Sequence, residues 1–118
     1  DHPWYDIFQA NIKSLQGQTD DKGRAIDIVF LEDAYGCETN GDIFCRSYLN
    51  SLIVNDGVII PKYNVPSDER ARDVYQRLFP SRKIVQLDVT NIAMGGGGIH
   101  CITQQQPKTI KFNTTQVA

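Results

Sequence analysis

No stretch of this chain is apolar for long enough to cross a bilayer as a helix, so no membrane partner is expected. Nor is there an excess of basic charge. Twelve Lys and Arg stand against 14 Asp and Glu, for a net charge of −2 and a pI near 5.6. That leaves no electrostatic footprint for nucleic acid. Arg70, Arg72 and Arg77 lie beside Asp68, Glu69 and Asp73 on one predicted helix, the pattern of a solvated face. Cysteine is sparse, and the set of Cys37, Cys45, His100 and Cys101 lacks the short Cys-x-x-Cys spacing of a zinc knuckle. Cys37 and Cys45 could bridge a loop in an oxidising compartment or stay free in a reducing one. No signal-peptide pattern opens the chain, and a cytoplasmic location is the expectation.

What is present suits one domain with a core of its own: 118 residues, 41% hydrophobic and 22% charged. Trp4, Phe8, Ile12 and Leu15 recur at helical spacing between Pro3 and Gly17. Residues 25–31, with Ile26, Ile28, Val29 and Phe30, read as a buried strand. The acidic segment 32–46 is long for a connection without structure of its own, and such loops often serve function. Strands are expected at 47–54 and 57–61, joined through Asn55-Asp56-Gly57, a strong hairpin signal. A helix follows over 67–79, with acids in its first turn, an apolar face of Ala71, Val74, Tyr75 and Leu78, and Pro80 as its stop. Residues 83–89 and 99–104 complete the set as strands, and the tail after Pro107 frays. The predicted class is α/β (α+β), with a unit of two strands, a helix and a strand seen once whole and once in part. One and a half such units leave apolar surface and strand edges open, which predicts self-association or a missing N-terminal part.

The chemistry concentrates in Gly95-Gly96-Gly97-Gly98-Ile99-His100-Cys101-Ile102-Thr103-Gln104-Gln105-Gln106-Pro107. Glycine removes the side chain that keeps a backbone away from a ligand. A thiol beyond such a loop meets a small substrate with little obstruction, and cysteine is the best nucleophile among ordinary side chains. The nucleotide-binding glycine patterns end in Gly-Lys-Ser/Thr or open a helix with spaced glycines, and neither occurs here.

This stretch resembles the C-terminal signature of the agmatine deiminase family, which includes the Porphyromonas-type peptidylarginine deiminases. The resemblance extends upstream through residues 47–61 (Ser-Tyr-Leu-Asn-Ser-Leu-Ile-Val-Asn-Asp-Gly-Val-Ile-Ile-Pro) and the turn Thr19-Asp20-Asp21-Lys22-Gly23-Arg24. It covers residues 1–107, taken as the C-terminal part of a deiminase domain, with 108–118 as a tail. It implies a pentein, an α/β-propeller of five repeated units, of which this chain would hold about one and a half plus a terminal strand. It further implies Cys101 as the nucleophile that forms a covalent amidino intermediate. Gly96 and Gly97 are the expected backbone contacts to a guanidino substrate, agmatine or peptidylarginine. Thiol chemistry and water imply no metal or organic cofactor. A peptidylarginine substrate would also admit a periplasmic or secreted location.

Two departures from the family matter. Asn is common where Gly98 stands, so a contact from that side chain is expected to be missing. The family's Gly-His-x-Asp motif, with its proton-handling histidine and clasping aspartate, does not occur in the chain, and His2 is no substitute for it. His100 adjoins Cys101, but neighbours on a strand face opposite ways, which favours a structural role. Glu32, Asp33, Glu38 and Asp42 are given no role, and the sequon Asn113-Thr114-Thr115 carries little weight. Three functions remain in view: the C-terminal segment of a guanidine-modifying hydrolase, inactive alone; a non-catalytic self-associating module derived from one; and, as a minor third, a redox thiol protein.

Overall fold

The computed structural model describes residues 4–37 and 43–108. The chain divides into two compact units, Asp1–Phe30 and Leu31–Ala118. The first contains helix α1, Tyr5–Leu15, which runs where its apolar spacing places it and is followed by Gly17 with φ of 74°. None of its residues is buried, and Trp4, Ile7 and Phe8 are all exposed. The predicted strand at 25–31 does not form. A single bridge, Thr19 to Ala25, closes a turn around Asp20, whose carboxylate accepts bonds from the Lys22 and Arg24 backbones and the Arg24 guanidinium. Beyond it Ile26, Val29 and Phe30 are exposed. Their apolar run has no ladder partner among the described residues, and a strand without one leaves its backbone groups unpaired.

The second unit is built on an open three-stranded sheet of order β1-β2-β3. Strand β1 (Leu52–Ile53) runs antiparallel to β2 (Gly57–Lys62), and β2 runs parallel to β3 (Lys83–Asp88). Asn55 and Asp56 form the expected hairpin turn, with the Val54 N–H donating to the Gly57 carbonyl at 2.9 Å. Helix α2 (Ser67–Leu78) makes the crossover that a parallel pair requires. Val58 and Ile60 alternate toward Tyr75 of this helix, and Ile84 and Phe79 close the same cluster. One unit of two strands, helix and strand is therefore complete, and it is the only one among the described residues.

Beyond the C-terminal ends of β2 and β3 a second cluster gathers Tyr48, Tyr63, Ala71, Val89, Ala93 and Ile99. Helix α3 (Thr90–Ala93) begins there, with the Asp88 carboxylate accepting from the Thr90 N–H at 3.0 Å and its hydroxyl at 2.7 Å. Two elements differ from expectation. The strand predicted at 47–54 keeps only Leu52–Ile53, because residues 47–50 turn, the Asn50 N–H bonding back to the Ser47 carbonyl at 3.2 Å. The strand predicted at 99–104 is instead a 3-10 turn, His100–Ile102. Its first N–H is taken by the Asn50 side chain, and its His100 carbonyl by the Thr103 N–H and hydroxyl. With those groups satisfied locally, the segment has no need of a ladder.

Candidate active site

The structure brings the glycine loop onto the turn at 47–51. Ile99 is buried in the cluster that also holds Tyr48, so Cys101 and Asn50 ride on neighbouring elements of one core. The Asn50 amide joins them across 51 residues. Its Oδ1 accepts from the His100 N–H at 3.0 Å, and its Nδ2 donates to Cys101 Sγ at 3.1 Å. The same Nδ2 reaches Cys45 Sγ at 3.8 Å, within range for a sulfur acceptor. Both amide hydrogens thus have acceptors, and the oxygen orientation is fixed by the His100 bond.

Cys101 is exposed, while Cys37 and Cys45 are half-buried, and all three are free thiols. The Asn50 donor, followed by a backbone hydrogen bond from Gly98, holds the Cys101 thiol below its ordinary pKa, against a smaller opposing effect of desolvation. An exposed thiol with a lowered pKa supplies more of the thiolate, the form that attacks electrophiles, at neutral pH. Two open cavities, of about 820 and 380 Å³, lie elsewhere, one along β1, β2 and residues 104–108, the other beside Tyr63 and Phe44. Cys101 lines neither.

Each glycine makes room for a different neighbour. Gly96 has φ of 82° and lies against the Ile43 carbonyl, which a Cβ would meet at 3.1 Å. A Cβ on Gly97 would stand 3.2 Å from Cys101 Cβ and 3.3 Å from its sulfur. On Gly98 it would stand 2.7 Å from Asn50 Cγ, closer than real contacts allow. Gly98 brings no side-chain contact of its own, as expected of a glycine, and Asn50 occupies the space into which a side chain there would grow.

His100 sits on the 3-10 turn, so the strand argument for its facing away does not hold; what it supplies is its backbone N–H, to Asn50. Glu32 makes a bidentate pair with Arg70 of α2, while Glu38 and Asp42 fall outside the described residues, as does the sequon at 113–115. Asn50 escaped sequence reasoning. Its signal is a polar side chain just ahead of an apolar hairpin, within the segment 47–61.

Comparison with known proteins identifies the family. Residues 1–107 match the model of the Porphyromonas-type peptidyl-arginine deiminase family, and the chain belongs to that family. It is 39% identical over 126 aligned positions to a Streptococcus mutans protein provisionally named an agmatine deiminase, covering 92% of this chain and 34% of that one. Among solved structures it is similar to the agmatine deiminase of Enterococcus faecalis, with a TM-score of 0.82, 36% identity, and coverage of 92% of this chain and 34% of the other. It also resembles a Porphyromonas gingivalis protein provisionally named an arginine deiminase, with a TM-score of 0.76 and 29% identity over 92% of this chain and 33% of the other. The chain spans about a third of the length of the relatives it matches.

Proposed function

We propose that this chain is the nucleophile-bearing, C-terminal part of a guanidine-modifying hydrolase acting on agmatine or peptidylarginine. One observation carries the reading: the thiol of the family motif is exposed and accepts a hydrogen bond from the Asn50 amide at 3.1 Å. In the reaction the Cys101 thiolate attacks the guanidinium carbon, and the tetrahedral adduct expels one ammonia to leave an amidino thioether. Water then adds to that carbon and returns the thiol with a ureido product. The Asn50 amide stabilises the thiolate before attack and accommodates the thiol when it leaves. Gly97 stands beside the sulfur with backbone alone, and Gly96, set against Ile43, is the next backbone contact this reading assigns to the substrate. The scheme uses a thiol and water, with no metal or organic cofactor.

The Gly-His-x-Asp motif does not occur in this sequence, so on this reading the cation clasp and the proton-handling base come from outside this segment. The propeller arrangement of the family is the natural setting, with further units against the open sheet. The exposed Tyr5 and Ile7 of the first unit favour a covering partner too, whether another part of one polypeptide or a second copy. Ammonia release from agmatine, arginine and peptidylarginine tests the reading. The isolated chain is expected to be inert. The same chain completed with a family segment carrying Gly-His-x-Asp is expected to be active and to lose activity in Cys101→Ser. Activity that survives Cys101→Ser overturns the reading, and a completed protein that binds but never turns over supports the non-catalytic module.

A further inference from the structure

The turn that carries Asn50 is held from beneath by α2. The Tyr75 ring is buried, stacked on Phe79 at 6.3 Å between centroids and 17° between planes, and its hydroxyl reaches past Val58 and Ile60 to the turn. There it donates to the Tyr48 carbonyl at 3.0 Å and shares a 2.9 Å bond with Ser51 Oγ. A phenol has one proton, so the Ser51 hydroxyl is the donor in that second bond. One hydroxyl therefore grips the backbone two residues before Asn50 and the side chain one residue after it. Packing of an aromatic ring does not need this; a phenylalanine would fill the volume equally well.

We propose that Tyr75 is a positioning residue for the candidate nucleophile: by clamping both flanks of Asn50, its hydroxyl sets the Asn50 amide against the Cys101 sulfur. The proposal rests on the reading of Cys101 as the nucleophile. Among the described residues the Asn50 backbone makes only the 3.2 Å turn bond, so its flanking residues set where the side chain starts, while the His100 N–H and the two sulfurs hold its amide end. Sites of this kind tolerate about 0.5 Å of error, and a loosened turn exceeds that. The groups facing the sulfur are the Asn50 amide, the Gly98 backbone, Cys45 on the same amide, and the adjacent His100.

The test is the alkylation rate of Cys101 by iodoacetamide from roughly pH 5 to pH 10, read by mass spectrometry of its peptide in the full chain. Tyr75→Phe is expected to move the midpoint of the pH profile up by about 0.5, a roughly threefold slower reaction at neutral pH. Ser51→Ala, which removes one of the two bonds, moves it the same way by less. A Tyr75 that served packing alone would lower the melting temperature and leave the midpoint in place. An unchanged midpoint in folded Tyr75→Phe overturns the proposal. Should that variant fail to fold, Ser51→Ala decides by the same criterion. Because alkylation needs no turnover, a completed protein inert toward guanidino substrates, together with a midpoint that still moves, sinks the deiminase reading and leaves the clamp standing.

Discussion

The two halves of the candidate site are held by opposite means. On one side the turn at 47–51 is fixed by buried polar side chains. The Tyr48 hydroxyl donates to Asp68 Oδ1 at 2.8 Å and accepts from Ser67, and its ring meets Tyr63 edge-on at 5.4 Å. Asp68, itself buried, also takes the Tyr63 and Val65 N–H groups at 3.0 Å each. On the other side the loop from Gly95 to Cys101 is placed largely by what it lacks, since Gly96, Gly97 and Gly98 each abut an atom that a Cβ would crowd. The comparison teaches where rigidity comes from. A frame of satisfied buried groups positions the donor, and a loop stripped of side chains lets the sulfur come to it.

Removing the frame has the largest expected effect. Asp68→Ala leaves the Tyr48 hydroxyl and two backbone N–H groups without their acceptor. At roughly 1–3 kcal/mol for each buried unsatisfied group, a loss of several kcal/mol is expected. Chemical denaturation measures it, and a midpoint within experimental error of the parent breaks the contrast. Asp68→Asn keeps one acceptor oxygen and is expected to recover part of the loss.

Next comes the donor itself. The Asn50 bond favours the thiolate and so lowers the thiol pKa; removing it moves that pKa up. Alkylation requires the thiolate, hence Asn50→Ala slows it at and below neutral pH and leaves it little changed in alkali, where every thiol is ionised. The expected loss of rate at neutral pH is about tenfold, with the midpoint of the profile moved up by about 1 on the pH scale. Asn50→Asp is the sharper variant. It keeps the acceptor for the His100 N–H but replaces the donor with negative charge, and is expected to raise the midpoint further than alanine does. Equal profiles for the three proteins mean that the amide does not tune the sulfur.

How much of this was legible in sequence follows the range of each interaction. Strands β2 and β3, helix α2 and the hairpin at Asn55-Asp56 follow from local periodicity and turn chemistry, and they sit where expected within a residue or two. Cys101 stood out through its glycine run and motif. What was misread depends on partners distant in sequence. The segment after Ile99 looks like a strand until Asn50, 50 residues earlier, takes the His100 N–H and a 3-10 turn results. Residues 25–31 look like a strand because they are apolar, but a strand is defined by what pairs with it. Asn50 itself has no local signature, and its role exists only as a distance across 51 positions.

The smallest effects come from adding single methyl groups to the loop, and here neighbouring positions separate. At Gly98 the new Cβ meets Asn50 Cγ at 2.7 Å, so Gly98→Ala must push the amide aside and weaken its bond to sulfur. A Gly98→Asn variant can be accommodated only if Asn50 relocates. Either substitution is expected to slow Cys101 alkylation about threefold at neutral pH and to move the midpoint of the profile up by about 0.5. At Gly97 the contacts are 3.2 Å to Cys101 Cβ and 3.3 Å to its sulfur, a few tenths of an ångström of strain that the exposed cysteine relieves by a small rotation that keeps its sulfur on the Asn50 amide. Gly97→Ala should therefore change the rate by less than about twofold, on the order of the scatter expected for a surface substitution. If Gly97→Ala and Gly98→Ala give the same pH profile, the loop acts by general looseness, and the distinction between a glycine that admits Asn50 and one that admits the cysteine falls.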